Sequence, residues 1–506
     1  MATNSKDIRN LTFISHGGAG KTTLTEMFLN NAGQIDQVGN VEDGNTHSDF
    51  APEEKEHQHS INNSYFNLSW NNVKLNLIDT PGYADFHGEV ASATKMVEGA
   101  VLLINGIKGI EVNTKNVWSM ASQNNLSRFI FINKMDEEGA NFSDVFQNLQ
   151  DNFDVNLLPI TVPCKQGDEY QGVMDVLAQE FFSDGDKQDI PEDYAEDLDN
   201  YRFDLIEEIV ELDDELMMKY LEDEEITDKE LLNALIKGVA EKEIVPVFTG
   251  SALNNSGVKA LMNYLVKLIP SPVDQSVIDD FSETEDTDIE ISQDNSLIGL
   301  IGKTMVDPYI GKLSIFRLYS GTLKKGQEIY VPRLNDELKM SKIYKLNGAE
   351  QEQLDELVAG DIGAVAKMDE LETSDTICDP DLDIELEGID FPEPMLTLAA
   401  YPADGVDEEK MSNALHRYSL EDTTFKVNYN KETKELLLTG MGNIHISMIR
   451  DICKRKFDVD FNTKDPKVAY KETLQKKVNA EEKYKKQSGG RGQYGHVLLR
   501  IEPLPR

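Results

Sequence analysis

The chain has 506 residues, 92 acidic and 49 basic, for a formal net charge of −43, with 40% apolar and 8% aromatic side chains. That length exceeds what one hydrophobic core organises, so three or more domains are expected. No run of about 18 apolar residues occurs, which excludes a membrane-spanning helix, and the charge argues against non-specific nucleic-acid binding over the whole surface while leaving room for a local basic patch. No apolar run of signal length opens the chain, so no secretion signal is expected. Cys164, Cys378 and Cys453 lie far apart with no metal spacing, which fits a reducing cytoplasm.

The first element is a short apolar strand, with Leu11, Phe13 and Ile14. It runs into His16-Gly17-Gly18-Ala19-Gly20-Lys21-Thr22-Thr23, and Leu24, Met27 and Phe28 then keep helical spacing. Strand, glycine-rich loop and helix make a phosphate site, because backbone N–H groups converge where no Cβ intervenes and the helix N-terminus adds its own. Lys21 is expected to reach the outer phosphates and the Thr22 hydroxyl to bind magnesium. Ser15 stands where this pattern usually opens with glycine. The polar stretch from about Gly39 to Ser64 carries Thr46, Ser48, Asp49 and Ser60, and a loop of this length is expected to be functional. His47, His57, His59 and His87 lack a metal-binding frame and read as loop residues.

Val73, Leu75, Leu77 and Ile78 form a strand that ends in Asp79-Thr80-Pro81-Gly82-Tyr83-Ala84-Asp85-Phe86. Asp79 is placed to hold the magnesium hydration shell, and the Gly82 N–H to sense a terminal phosphate. Residues 100–104 and 129–132 are buried strands, the second ending in Asn133-Lys134-Met135-Asp136. Near-continuous apolar strands between helical stretches indicate a parallel sheet covered on both faces. Asp136 can accept from N1–H and the 2-amino group of guanine, donors that adenine lacks, and a paired buried polar group discriminates strongly. Lys134 is expected to pack along the base. Residues 244–248 lead to Gly250-Ser251-Ala252-Leu253, where a backbone N–H can bind guanine O6. Four strand-end loops in this order make a guanine-nucleotide site, with GTP or GDP and Mg2+ as ligands.

This GTP-binding domain is expected over residues 1–275, with an acidic, helical subdomain inserted at about 157–243. Leu205, Ile206, Ile209 and Val210 share a helix face there, and Thr227 with Glu230 forms a capping box. The acidic face of the insertion is either solvated or a partner surface. Residues 276–295 read as an acidic linker. Short strands with glycine turns over 296–390 indicate a β-barrel. Residues 391–470 give strand, helix, strand, strand, helix, strand, the split βαβ order of a ferredoxin-like α+β domain. Its helix faces are Met411, Ala414, Leu415 and Tyr418, then Ile444, Met448, Ile449 and Ile452. The tail, 471–506, is the most basic stretch, and its glycine-rich run 487–496 suits either RNA contact or a solvated loop.

On His16 to Thr23, Asp79 to Phe86, Asn133 to Asp136, Gly250 to Leu253, Asp307-Pro308-Tyr309, residues 319–323, Gly440-Met441-Gly442 with His445, and the run 489–497, the chain resembles bacterial elongation factor G, the translocation GTPase of the ribosome. The resemblance implies an α/β P-loop GTPase domain with a parallel-rich sheet, a β-barrel, a ferredoxin-like domain and the start of a further α+β domain. It implies GTP hydrolysis on the ribosome, with ribosomal RNA and proteins and the tRNA–mRNA complex as partners. It also implies a cytoplasmic location, no membrane, and a monomer off the ribosome. Three departures stand out. The family usually has Asp where this chain has Gly18, which bears on potassium dependence. Its first switch ends in Arg-Gly-Ile-Thr, aligned with His57-Gln58-His59-Ser60, so Ser60 offers the hydroxyl to magnesium. Its water-positioning His is Tyr83 here, beside Lys21 and Gly82 as the catalytic set. The pattern resembles a divergent second type of elongation factor G, ending near the start of the fourth domain, with the fourth and fifth domains essentially absent. Two further readings stay open: a GTP-dependent ribosome-binding factor with little hydrolysis, and a ribosome-protection protein.

Overall fold

The computed structural model describes residues 4–166, 169–274, 292–307, 311–382, 384–487, 489–490 and 492–503. Most of the expected acidic linker, Pro308 and Tyr309 of the barrel motif, and Ser488 and Arg491 of the tail lie outside the described residues.

The N-terminal part is built on a seven-stranded sheet. Its elements are β1 (Ile8–Ser15), α1 (Lys21–Asn31), α2 (Pro52–His57), β2 (Ser64–Trp70), β3 (Val73–Asp79), α3 (His87–Lys95), β4 (Gly99–Asn105), α4 (Val112–Gln123), β5 (Ser127–Asn133), α5 (Phe142–Asn152) and β6 (Asn156–Pro159). After an insertion, β11 (Ile244–Thr249) and α9 (Val258–Leu268) complete it. The strand order is β2-β3-β1-β4-β5-β11-β6, and only the β2–β3 pair is antiparallel. Phe13, Val101, Leu102, Phe129, Ile130 and Phe131 are fully buried, as strands covered on both faces require. α1 packs against α9 and α3 against α4, and the right-handed crossovers expected between parallel strands place such helices over the two faces of the sheet. The loops after β1, β3, β5 and β11 therefore gather along one sheet edge, at the carboxyl ends of the parallel strands.

The insertion consists of a four-stranded antiparallel sheet, β7 (Thr161–Gln166), β8 (Glu169–Asp175), β9 (Glu180–Ser183) and β10 (Asp186–Gln188), with helices α6 (Ala195–Val210), α7 (Asp214–Leu221) and α8 (Asp228–Ala240). Leu205, Ile209 and Val210 join the same apolar core as the main sheet. Thr227 opens α8 through the expected box: its N–H donates to Glu230 Oε2 at 2.9 Å, and its Oγ1 accepts the Glu230 N–H at 3.4 Å.

Ten strands follow: β12 (Ile298–Asp307), β13 (Gly311–Ser320), β14 (Thr322–Lys324), β15 (Glu328–Val331), β16 (Asp336–Lys339), β17 (Ile343–Asn347), β18 (Glu350–Leu354), β19 (Glu356–Val358), β20 (Ile362–Ala366) and β21 (Thr376–Cys378). Eight of them form an antiparallel sheet wrapped around one core that includes Ile301, Phe316, Leu318, Ile329, Val365 and Ile377, and β14 pairs with β19 beside it. This unit sits on the N-terminal part through a buried ion pair, Arg317 with Glu98, and through Lys74 Nζ, 2.6 Å from Asp361 Oδ2.

The next sheet has the order β23-β24-β22-β25, from β22 (Leu396–Pro402), β23 (Lys426–Asn430), β24 (Glu435–Gly440) and β25 (Phe461–Lys464), with α10 (Glu408–Tyr418) and α11 (Asn443–Phe457) packed together. Met411, Ala414, Leu415, Tyr418, Met448, Ile449 and Ile452 are buried as expected, but Ile444 is 37% exposed. His445 takes the inward position in that first turn. Its Nε2 lies 2.7 Å from Asp422 Oδ2, and its Nδ1 accepts the Met441 N–H at 3.1 Å. The tail forms an antiparallel hairpin of β26 (Val478–Lys486) and β27 (Gln493–Ile501). Among the described residues no helix is long and apolar enough to cross a membrane.

Candidate functional site

The glycines of the first loop are fixed by what they touch. Gly20 has φ +98°, and a Cβ there would lie 2.4 Å from Asn133 Nδ2. Gly18 is also left-handed, at φ +81°. Lys21 opens α1 inside the loop, and its Nζ donates to Ser15 Oγ at 2.6 Å, so the serine in the unusual first position anchors the lysine. A Cβ on Gly82 would sit 2.7 Å from Gly17 Cα and 2.8 Å from Lys21 Nζ, so the loops after β1 and β3 are in direct contact.

The stretch 39–64 closes over this edge. Thr22 Oγ1 and Ser60 Oγ lie 3.4 Å apart, and Ser60 Oγ donates to Asp49 Oδ1 at 2.7 Å. Ser48 Oγ donates to Asp79 Oδ2 at 2.6 Å. Asp49 Oδ2 and Asp79 Oδ1 are buried without a hydrogen-bond partner. Burial pulls the Lys21 ammonium down to about 8 against the opposing pull of Asp79 and Asp49, and pushes the Asp79 carboxyl up to about 7. Three hydroxyls, of Thr22, Ser48 and Ser60, and two carboxylates with unmatched oxygens, beside Lys21, are the hard oxygen donor set that suits Mg2+.

The stretch is not all loop, because Pro52–His57 forms α2. Two of the histidines expected in loops belong to helices: His57 ends α2, and His87, which is buried, opens α3. His47 Nδ1 lies 3.0 Å from Glu26 Oε2, and His57 Nε2 lies 3.3 Å from Asp451 Oδ2 of α11. The His59 ring lies against Tyr83 with centroids 4.8 Å apart. Tyr83 is 41% exposed, and its ring also borders Gly17.

At the far end of the same edge, Asn133 ties three loops together. Its Nδ2 donates to the Ala19 carbonyl at 2.9 Å, and its Oδ1 accepts the Ala252 N–H at 2.8 Å. Lys134 has φ +66°, and its Nζ meets Glu137 at 2.9 Å. Asp136 Oδ2 accepts from Asn254 Nδ2 at 3.1 Å. Ser251 and Ser256 exchange backbone hydrogen bonds at 3.0 Å, which closes the last loop, and Leu253 stays exposed on its rim. His16 Nε2 lies 3.6 Å from Glu111 Oε1. Every candidate from His16 to Leu253 thus lies on one edge. Asp49, a polar residue of the stretch 39–64 expected to be functional, reaches it too, as do Asn113 and Asn254, which no motif in the sequence singles out.

A parallel sheet with a glycine-lysine phosphate loop, an Asp-Thr-Pro-Gly turn, an Asn-Lys-x-Asp turn and a Ser-Ala loop on one edge, followed by a β-barrel, defines a translational GTPase. Residues 6–271 match the family model for the elongation factor Tu GTP binding domain, 296–380 that for elongation factor G domain 2, 391–465 domain III and 466–506 domain IV. Elongation factor G of Thermotoga maritima is 38% identical over 507 residues, covering 98% of this chain and 73% of the relative. That of Mycoplasma genitalium is 38% identical over 508 residues, covering 98% and 74%. A crystal structure from Thermus thermophilus superposes with a TM-score of 0.86 at 30% identity, covering 98% of this chain and 73% of that one. The chain belongs to the elongation factor G family.

Two expectations are corrected. The domain IV match over 466–506, with its β26–β27 hairpin, shows that fourth-domain sequence is present rather than essentially absent. The relatives are elongation factor G without qualification, so a distinct second type is not supported. The likeness to elongation factor G runs along 98% of the chain.

Proposed function

We propose the following division of labour in a chain that acts as a GTP-hydrolysing elongation factor of the ribosomal translocation type. Lys21 and the N–H groups of 16–23 hold the β- and γ-phosphates. Thr22, Ser60 and Asp79, with Asp49 beside them, hold Mg2+. Gly82 presents its N–H to the terminal phosphate, and Tyr83 borders the attacking water. Asn133 and Lys134 frame the base, Asp136 reads guanine, and Ser251, Ala252 and Leu253 supply the N–H for O6. Held by Thr22, Ser60 and Asp79, magnesium would supply charge neutralisation for phosphoryl transfer. Residues 1–275, with the insertion at 157–243, form the GTP-binding domain; 296–390, 391–470 and 471–506 are the barrel, the ferredoxin-like domain and the fourth-domain segment. Ribosomal RNA and proteins with the tRNA–mRNA complex are the partners, in the cytoplasm.

The observation that carries this reading is the contact of Gly82 with Gly17 and Lys21, alongside the approach of Ser60 to Thr22. Lys21→Ala and Asp79→Ala are expected to lose roughly 10²-fold in magnesium-dependent GDP affinity, the worth of about 3 kcal/mol of charge-assisted bonding. Wild-type-like binding by both variants would contradict the assignment.

One observation favours a slower enzyme that uses GTP chiefly as a conformational ligand. Tyr83 places a phenol where the resemblance implies imidazole, and its side chain is 41% exposed beside His59. Rapid multiple turnover on ribosomes would remove this reading.

A further inference from the structure

Gly82 has no side chain to hold it, yet its position decides whether an N–H faces the terminal phosphate. On one side it abuts Gly17 and Lys21. On the other, Asn113 Nδ2 donates to the Gly82 carbonyl at 3.1 Å. Among the described residues no other hydrogen bond reaches the Gly82 backbone. Asn113 is only 5% exposed, so this bond is shielded from water and its loss would leave a buried carbonyl unmatched.

The first turn of α4 is itself held firmly. The Glu111 N–H donates to Thr114 Oγ1 at 3.0 Å, and the Thr114 N–H donates to the Glu111 carbonyl at 3.0 Å. Glu111 Oε1 also lies 3.6 Å from His16 Nε2 in the phosphate loop. One rigid helix turn therefore touches the phosphate loop through Glu111 and the Asp-Thr-Pro-Gly turn through Asn113.

We propose that Asn113 is a positioning residue that pins Gly82 by its carbonyl against the phosphate loop, so that the residue whose N–H, in the preceding Pro81–Gly82 peptide, is assigned to a terminal phosphate is held in place and the chain favours GTP over GDP. The mechanism is pre-organisation. A glycine free to turn about φ and ψ loses entropy when a γ-phosphate orders it, and one whose carbonyl is already held loses less. GDP has no γ-phosphate at that position, so the bond bears on GTP alone. The same pin sets where Tyr83 begins. The inference rests on the assignment of Gly82 to the terminal phosphate.

The test uses the whole chain with Mg2+, and measures equilibrium affinities for GDP and for a non-hydrolysable GTP analogue in the wild type, Asn113→Ala and Asn113→Asp. Both variants lack the amide donor, and the second keeps the side-chain shape. The ratio of GTP-analogue to GDP affinity is expected to fall by about threefold or more, the worth of one buried hydrogen bond. A smaller change in the ratio overturns the proposal. So does a parallel loss of both affinities, which is what a merely structural role would produce. If the wild type binds neither nucleotide, the guanine-site assignment fails first, which distinguishes the two failures.

Discussion

Replacing Asp136 by Asn separates guanine recognition from phosphate binding. The carboxylate is expected to accept two hydrogen bonds from the base, and Asn254 Nδ2 already donates to its Oδ2 at 3.1 Å, which fixes the plane of the group. Hydrogen bonds to a charged acceptor are worth about 1.5–3 kcal/mol each, so losing one and leaving the other to a neutral amide costs at least about 1.5–3 kcal/mol, or roughly 10–10² in GDP affinity. An asparagine amide offers one donor and one acceptor. Xanthine carries a carbonyl where guanine carries the 2-amino group, so Asp136→Asn should prefer XDP to GDP. Competition of both nucleotides against a fluorescent GDP reads the two constants. GDP affinity within about threefold of wild type, or no preference for XDP, would refute the assignment of Asp136, because a single charge-assisted bond already exceeds that change.

Tyr83→His restores an imidazole at the turn and should raise ribosome-dependent GTP turnover by roughly 10²-fold, the scale of a positioned acid–base group; an unchanged rate would mean that Tyr83 does not limit chemistry. Glu54, buried in α2, accepts N–H bonds from Ile61 and Asn62 at 3.0 and 3.1 Å, and burial pushes its carboxyl up to about 8. A carboxyl raised above its unfolded value stabilises the fold at low pH and loses that contribution as pH rises toward 8, so the melting temperature of the nucleotide-free protein should fall between pH 5.5 and 8 and Glu54→Gln should flatten the slope. A slope identical in the variant would exclude Glu54 as its source. Arg317→Leu strands Glu98, whose side chain is 1% exposed and whose remaining donor is Asn10 Nδ2 at 2.9 Å. It should cost about 3–5 kcal/mol, measured by denaturant unfolding, and the double replacement Glu98→Leu with Arg317→Leu should recover most of it.

The phosphate loop, the strand-end turns and the ferredoxin-like order were legible because each is local. A glycine-lysine turn between strand and helix, or an apolar run of five residues, carries its own geometry. What escaped was set by neighbours distant in sequence. Ile444 kept helical spacing with Met448 and Ile452, yet it is 37% exposed, and its neighbour His445, paired with Asp422, takes the inward position in that turn. The stretch 39–64 lacks periodicity, and α2 forms there with Glu54 accepting N–H bonds from both sides and with Glu53 bonded to Arg455 of α11 at 2.5 Å. Asp49 was legible only as one polar residue of a loop expected to be functional, and Asn113 not at all. Only the fold sets the first beside Ser60 and the second on the Gly82 carbonyl. Read from sequence as departures, Gly18, Ser60 and Tyr83 suggest a separate type, but three single positions say little about descent beside a likeness to elongation factor G that covers 98% of the chain.

The most direct test of the central claim is GTP turnover by this chain with and without ribosomes. Turnover that rises on adding ribosomes, and that is lost in Lys21→Ala, is the predicted result. Turnover that ribosomes leave unchanged, or that survives Lys21→Ala, would contradict a ribosomal GTPase built on this loop.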